Sequence, residues 1–126
     1  MNYFWVALGG ALGSLLRFVV VNFSGGLFPK TTFPVGTLIV NVSGCFIIAY
    51  LGGLATDRFT LNASMRFFVF TGILGGFTTF SALGYETFYF LRTTQYGWAL
   101  INIMANIVLG IGATVFGYLL ARYCAV

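Results

Sequence analysis

Four long apolar stretches, separated by short polar breaks, constrain this chain more than any other feature of its sequence. A helix needs about 20 mostly apolar residues to cross the hydrocarbon core of a bilayer, and each stretch reaches that length. The breaks between them are too short to hold a separate domain. The sequence therefore predicts an all-α membrane protein, a single domain over residues 1–126 with four transmembrane helices. The predicted spans are Tyr3–Phe23, Val35–Ala55, Phe67–Leu91 and Gly97–Tyr123.

Charged residues are too few to cover a water-soluble fold of this size. They make up 6% of the 126 residues, whereas soluble domains carry about 25% charged residues. The basic residues form no run, which argues against a nucleic-acid partner. The chain has no His, and Cys45 and Cys124 lie far apart, so neither a side-chain metal cluster nor a disulfide is predicted. No nucleophile–base pair or phosphate-binding loop indicates an enzyme.

The basic residues near the span ends give almost no signal for orientation. Four spans place both termini on the same side of the membrane, and cytoplasmic loops normally carry the excess of Lys and Arg. The termini side has three basic residues and the other side two or three, so the sequence predicts dual topology, with chains that insert in both orientations. The first group is Arg58, Arg66 and Arg122; the second is Lys30 and Arg92, with Arg17 towards the same end.

Small and polar residues form one stripe on each of helices 1, 2 and 4 at helical spacing. Transmembrane helices associate through such residues, because lipid provides no hydrophobic drive, and close packing alone explains most of the glycines. It does not explain Asn41 and Asn106, since a buried amide without a partner costs about 1–3 kcal/mol. We expect these amides to meet each other, another helix, water or a permeating ion. The stripes are Gly10, Gly13 and Arg17; Thr37, Asn41, Gly44, Cys45, Ile48 and Gly52; and Asn102, Asn106, Gly110, Ala113 and Gly117.

The middle of the third predicted span has a sequence that disfavours a continuous helix. Hydroxyl residues there follow the adjacent glycines Gly75 and Gly76. This pattern predicts a helix 3 that is broken mid-membrane. Broken backbone at that depth is tolerated only when it is buried in protein or faces a watery cavity. The break frees backbone carbonyls, and unwound carbonyls bind Na⁺ in other membrane proteins. A simple kink at a packing point is the alternative.

Two charged residues, Arg17 and Glu86, fall inside predicted spans more than one helical turn from either end. A charge at the bilayer centre costs about 2.5–3.5 kcal/mol on insertion scales, so both are functional candidates. Extension towards a membrane interface is the alternative explanation for each. The other polar groups are amides and hydroxyls, and the ring of Phe80 has a positive edge. This set favours an anion pathway, because cation pathways ordinarily have rings of acids.

Three segments resemble the signature sequences of the CrcB/Fluc family of fluoride channels. They are Gly9–Phe18, Gly36–Asn41 and Gly75–Ser81, in the family's order on a chain of matching length and layout. The resemblance implies an antiparallel homodimer with two fluoride-conducting pores. Passive export of fluoride across the inner or plasma membrane of a microbe would relieve fluoride toxicity. The resemblance also implies a structural Na⁺ at the dimer centre, bound by the backbone carbonyls of Gly75 and Thr78.

The resemblance also implies a fluoride pathway by motif position. Asn41 matches the pore asparagine, and Phe80 matches the first phenylalanine of the family's aromatic box. Leu83 stands where a second phenylalanine is common, Ala82 where a threonine is common, and Gly110 where several members have serine. The predicted pathway consists of Asn41, Phe80, Ser81, Leu83, Thr114, Glu86, Arg17 and Asn106.

The departure at Leu83 leaves alternatives open. Leucine lacks an electropositive ring edge, so either one phenylalanine suffices or conduction is reduced. The chain would also fit a heterodimer with a paralogous chain, in which it acts as a non-conducting partner. A different alternative is a small proton-coupled exporter of the multidrug type. Such exporters place an essential acid in helix 1, where this chain has Arg17.

Overall fold

The computed structural model describes residues 1–57 and 61–124, and all regular secondary structure in those ranges is helical. Four segments are long and apolar enough to cross a membrane: Asn2–Leu27, Val35–Ala55, Ala63–Arg92 and Tyr96–Cys124. The predicted four-span membrane fold is confirmed, with helices that extend a turn or less beyond the predicted ends. Arg58, which entered the predicted charge balance, lies outside the described residues. The helical elements are α1 (Asn2–Leu27), α2 (Val35–Asp57), α3 (Ala63–Arg66), a π-helix (Phe67–Leu74), α4 (Gly75–Phe77), α5 (Phe80–Arg92) and α6 (Tyr96–Cys124).

Helices α2 and α6 form the most extensive contact between elements of the described chain. The predicted polar stripe of α6 faces inward here, with Asn102, Asn106, Gly110 and Gly117 buried. Gly117 permits this close approach, since a Cβ at that position would lie 2.5 Å from the carbonyl oxygen of Phe46 in α2. Small residues at a helix contact let the backbones come together, which is how transmembrane helices gain packing contacts.

Helix α1 packs against the first half of the third span through glycines on both sides. Gly9 and Gly13 are buried, and a Cβ on either would collide with a backbone carbonyl, that of Phe68 or Ile73 respectively. Those two carbonyls belong to the π-helix, whose i→i+5 hydrogen bonds are rare and are frequently found at functional sites. The glycine stripe predicted for helix 1 is therefore a packing surface for the third span.

The third span is broken at Thr78 and Thr79. Both are extended, with φ/ψ of −81°/159° and −152°/119°, while Gly75 remains helical. The predicted break is confirmed, but it falls on the threonines and not on the glycines. No glycine of the described chain has a positive φ. Thr79 then restarts the helix as the N-cap of α5, since its hydroxyl accepts a hydrogen bond from the backbone N–H of Ala82 at 3.1 Å.

Candidate functional site

The side chain of Asn41 bridges the break in the third span. Its Oδ1 accepts from the backbone N–H of Thr79 at 2.8 Å, and its Nδ2 donates to the Thr79 carbonyl at 3.0 Å. The amide thus replaces the helical partners that Thr79 lost on becoming extended. Unpaired backbone groups at this depth cost several kcal/mol each. Asn41 is therefore what allows a break at this point of the span.

The second hydrogen of the Asn41 amide goes to Asn106. Asn41 Nδ2 donates to Asn106 Oδ1 at 2.9 Å, and Asn106 Nδ2 donates to the backbone carbonyl of Asn102 at 2.9 Å. The sequence left several kinds of partner open for these two amides. In the structure Asn41 and Asn106 bond to each other, and Asn41 also bonds to the backbone of the third span. Both donors of Asn41 are engaged in this arrangement, so an ion that binds Asn41 must displace one of these contacts.

A cavity of about 430 Å³ lies beside the break. Four residues of the predicted pathway line it together: Asn41, Phe80, Leu83 and Asn106. Polar groups of the break itself, at Thr78 and Thr79, share the wall with apolar residues. A mostly apolar wall with a few convergent polar groups is the usual form of a small-ligand site.

A second cavity, of about 580 Å³, brings together Arg17, Ser81 and Glu86 from the predicted pathway with Thr37 and Thr79. Glu86 Oε1 accepts a hydrogen bond from the Thr37 hydroxyl. Glu86 Oε2 is buried and has no partner within the described chain. Thr37 and Glu86 also line a cavity of about 240 Å³ beneath the loop between α1 and α2. Glu86 therefore contributes to the walls of two cavities, while one of its carboxyl oxygens stays buried.

The guanidinium of Arg17 bonds to the broken backbone inside the span. Its Nη1 donates to the carbonyl of Thr78 at 3.2 Å, and the residue is half-buried. Extension of this side chain towards a membrane interface, the alternative explanation, would not account for its hydrogen bond to the Thr78 carbonyl. The charge instead offsets the partial negative charge of a carbonyl that no longer belongs to a helix.

Two predicted pathway residues have a more local environment. Thr114 is exposed on α6, where its hydroxyl donates to the carbonyl of Gly110 at 3.0 Å, and it lines none of the cavities described above. Ser81 is exposed, with its hydroxyl 3.2 Å from that of Thr79. The structure thus places seven of the eight pathway residues in the walls of two cavities and leaves Thr114 apart.

The carbonyls of Gly75 and Thr78 have the chemistry that a bound Na⁺ requires. In a continuous helix the Gly75 carbonyl would accept from Thr79 N–H, and the Thr78 carbonyl from Ala82 N–H. Here Thr79 N–H donates to Asn41, and Ala82 N–H donates to the Thr79 hydroxyl. Gly75 is also exposed. Unwound carbonyls of this kind coordinate Na⁺ in membrane transporters. The donor set fits the ion, although Arg17 already places one cation against Thr78.

Sequence reasoning assigned no role to Asn102 or Thr87, whereas Thr37 counted among the hydroxyl donors expected for an anion pathway. Asn102 belonged only to the small-and-polar stripe of helix 4, and Thr87 lies next to Glu86 in α5. Asn102 is fully buried, and its Nδ2 donates to the Thr87 hydroxyl at 3.2 Å. The spacing of Asn102 and Asn106, one helical turn apart in an apolar span, was the available signal, because residues four apart lie on the same helix face.

Comparison with known proteins finds relatives that match nearly the full length of the chain. The family model described as CrcB-like protein, Camphor Resistance (CrcB), matches residues 4–118. A fluoride-specific ion channel FluC from Thermococcus gammatolerans is 46% identical over 118 residues, covering 93% of each chain. Proteins of the same name are 41% identical in Helicobacter pylori (strain G27), covering 95% of this chain and 92% of that one, and 38% identical in Desulforapulum autotrophicum, covering 96% of both.

Proposed function

Because the chain belongs to the CrcB family, we propose that this multi-pass membrane protein is a fluoride-selective ion channel. The observation that carries the proposal is the break at Thr78 and Thr79, bridged by Asn41 and flanked by the 430 Å³ and 580 Å³ cavities. Broken backbone at membrane depth is expected where it lines a route for an ion. Relatives that cover nearly the whole chain are named fluoride-specific ion channels. Because these relatives are named ion channels, we do not propose an enzymatic activity.

The groups around the break suit an anion. The described lining of the 430 Å³ cavity contains amides, hydroxyls and the ring of Phe80 but no acid. Fluoride must exchange its hydration shell for such donors, just as other channel ions exchange theirs for groups of the pore. The edge of the Phe80 ring adds a positive region. At Thr37, an arriving anion would compete with the Glu86 carboxyl for one hydroxyl hydrogen, so that this contact has to open during passage.

The functional unit in this proposal is an antiparallel dimer of two copies of this chain. Ser14 and Ser81 are exposed beside Arg17 in the 580 Å³ cavity, and Phe80 is 84% exposed. Lipid offers these polar groups no hydrogen bonds, so a protein surface that covers them lowers the free energy of the membrane-embedded state. A second copy inserted in the opposite orientation provides such a surface, and the balanced basic residues permit both orientations.

Na⁺ is the structural ion of this proposal, held by the backbone carbonyls of Gly75 and Thr78. It would supply a positive charge beside carbonyl oxygens whose helical donors bond elsewhere, at the place where two copies meet. Replacing Na⁺ by a large organic cation throughout purification should then weaken the dimer, as measured by light scattering in detergent. Unchanged assembly in the organic cation would remove the ion from the account.

Growth in fluoride tests the proposed export. A bacterial strain without its own fluoride exporter should grow in fluoride-containing medium when it expresses this chain, and should not grow with an empty vector. Passive export lowers internal fluoride because the ion, trapped inside after entry as the neutral acid, gains a way out. Equal fluoride sensitivity of the two strains, with the chain present in the membrane fraction, would contradict the proposal.

Leu83 favours one second candidate, a non-conducting partner in a heterodimer with a paralogous chain. It lines the 430 Å³ cavity beside Phe80, where the family commonly has a second ring. If this candidate is right, the chain alone gives no fluoride flux, and Leu83→Phe restores it. The relatives are named channels rather than transporters, so we do not carry the proton-coupled multidrug exporter further.

A further inference from the structure

Three asparagines form a continuous hydrogen-bonded ladder from the helix break to α5. Asn41 Nδ2 donates to Asn106 Oδ1 at 2.9 Å. Asn106 Nδ2 donates to the backbone carbonyl of Asn102 at 2.9 Å and to its Oδ1 at 3.3 Å. Asn102 Nδ2 then donates to the hydroxyl of Thr87 at 3.2 Å. The ladder joins α2, α6 and α5 at membrane depth.

Backbone groups fix the direction of this ladder at its start. The N–H of Thr79 requires Asn41 Oδ1, and the carbonyl of Thr79 requires Asn41 Nδ2, so the amide of Asn41 has only one orientation that satisfies both. Its remaining hydrogen requires an acceptor, which places Asn106 Oδ1 towards Asn41. The Nδ2 of Asn106 must then face Asn102. Each amide is thus oriented by its neighbour, and every step donates in the same direction.

Asn102 has the most enclosed position in the ladder. It is 0% exposed, whereas Asn106 and Thr87 are each 8% exposed. A buried amide in a membrane span is costly unless its donors and acceptor are engaged, and close packing at this position would be served by an apolar residue. Asn102 touches neither the 430 Å³ nor the 580 Å³ cavity. Besides Asn106 and Thr87, its side chain faces the carboxyl of Glu86, so its amide is explained by the protein groups that it holds in place and not by contact with an ion.

We infer that Asn102 is a positioning residue for the pathway: it orients Asn106, which in turn holds the Asn41 amide against the backbone of the break. This inference rests on the proposed fluoride conduction for its functional part. Without a fixed Asn102 side chain, Asn106 Nδ2 loses its contact with Asn102 Oδ1 and keeps only the backbone carbonyl of Asn102 as acceptor. The Asn106 amide is then held less firmly, so Asn41, whose own orientation the Thr79 backbone sets, has a less firmly placed acceptor for its second hydrogen.

The test compares four variants of the full chain in lipid nanodiscs and in liposomes. Asn102→Leu removes the central amide at similar volume. Thr87→Val removes the terminal hydroxyl, and Thr87→Ser keeps it. Asn22→Leu repeats the asparagine substitution at an exposed position of α1. The measurements are the ¹⁵N–¹H signals of the Asn41 and Asn106 side-chain amides and the initial rate of fluoride efflux.

Asn102→Leu and Thr87→Val should both shift the Asn41 amide signal, although neither residue contacts Asn41, and should lower fluoride efflux about tenfold, the effect of one buried hydrogen bond. Thr87→Ser and Asn22→Leu should leave the signal and the efflux rate near wild type. If Asn102→Leu does not assemble, Thr87→Val alone decides. An unmoved Asn41 signal in an assembled variant overturns the inference, whatever the efflux. Absence of fluoride efflux from the wild type counts against the proposed function, while the amide signals still test the ladder.

Discussion

At the scale of single residues, Asn41 is the side chain on which the described site depends. Its one amide supplies an acceptor and two donors, and all three are used, on the backbone of Thr79 and on Asn106. Sequence reasoning singled out Asn41 and Asn106 because unpaired amides are costly in a membrane. It did not give the contact with Thr79, because that contact depends on where the third span breaks.

Asn41→Asp tests this dependence. The carboxylate would set an oxygen against the Thr79 carbonyl and Asn106 Oδ1, where Nδ2 now donates, and would place a negative charge beside an anion route. Losing two buried hydrogen bonds should reduce fluoride flux about a hundredfold or more. Asn22→Asp, the same change at an exposed position of α1, is the control and should retain flux. Flux retained by an assembled Asn41→Asp channel would remove Asn41 from the pathway.

At the scale of elements, the four spans were predictable because length and apolarity are the conditions for crossing a bilayer. The broken segment was also predictable, but the residues that break it were not. Gly75 and Gly76 have the greatest conformational freedom, yet the extended residues are Thr78 and Thr79. Gly76 serves packing instead, since a Cβ on it would lie 2.6 Å from the carbonyl oxygen of Gly10. The π-helix was not foreseen, because side-chain periodicity does not report an i→i+5 bonding pattern.

The glycine contact between α1 and the third span gives a prediction for Gly13→Ala. The added methyl would collide with the carbonyl of Ile73 and lie 2.9 Å from the backbone nitrogen of Phe77. Backbone atoms cannot move aside as a flexible side chain can, so we expect a loss of about 1–3 kcal/mol of stability. The midpoint of thermal unfolding in detergent should fall accordingly.

Gly112→Ala is the matched control for that substitution. It lies on the exposed side of α6, and a Cβ there would meet nothing within 4 Å. Its unfolding midpoint should equal or slightly exceed that of the wild type, since alanine is the better helix former by about 1 kcal/mol. Equal midpoints for the two variants would show that the α1 contact is looser than described.

At the scale of the whole molecule, the basic residues at the two ends of the spans are nearly balanced. Arg66 and Arg122 lie near the side of the membrane on which both termini are placed. Lys30 and Arg92 lie near the opposite side. Orientation in the membrane follows the excess of Lys and Arg in cytoplasmic loops, so small additions of charge should decide it. The fold of a single chain does not show whether both orientations occur, because orientation depends on a small difference between the numbers of basic residues on the two sides of the membrane.

A tail of three lysines at the C-terminus should convert the population to one orientation. Antiparallel pairs then lack one partner, and fluoride flux per chain should fall several-fold. A tail of three glutamines is the control and should change neither orientation nor flux. Accessibility of a C-terminal tag from each side of the vesicle measures orientation. A uniformly oriented population with full flux would show that antiparallel pairing is not needed.

The central claim is that this chain alone forms a route for fluoride. The most direct measurement is ion efflux from liposomes that contain only the purified chain, recorded with a fluoride-selective and then a chloride-selective electrode after the membrane potential is released by an ionophore. Liposomes with a fluoride channel built from this chain should release fluoride rapidly and hardly any chloride. Comparable release of both ions, or no release of fluoride, would contradict this claim.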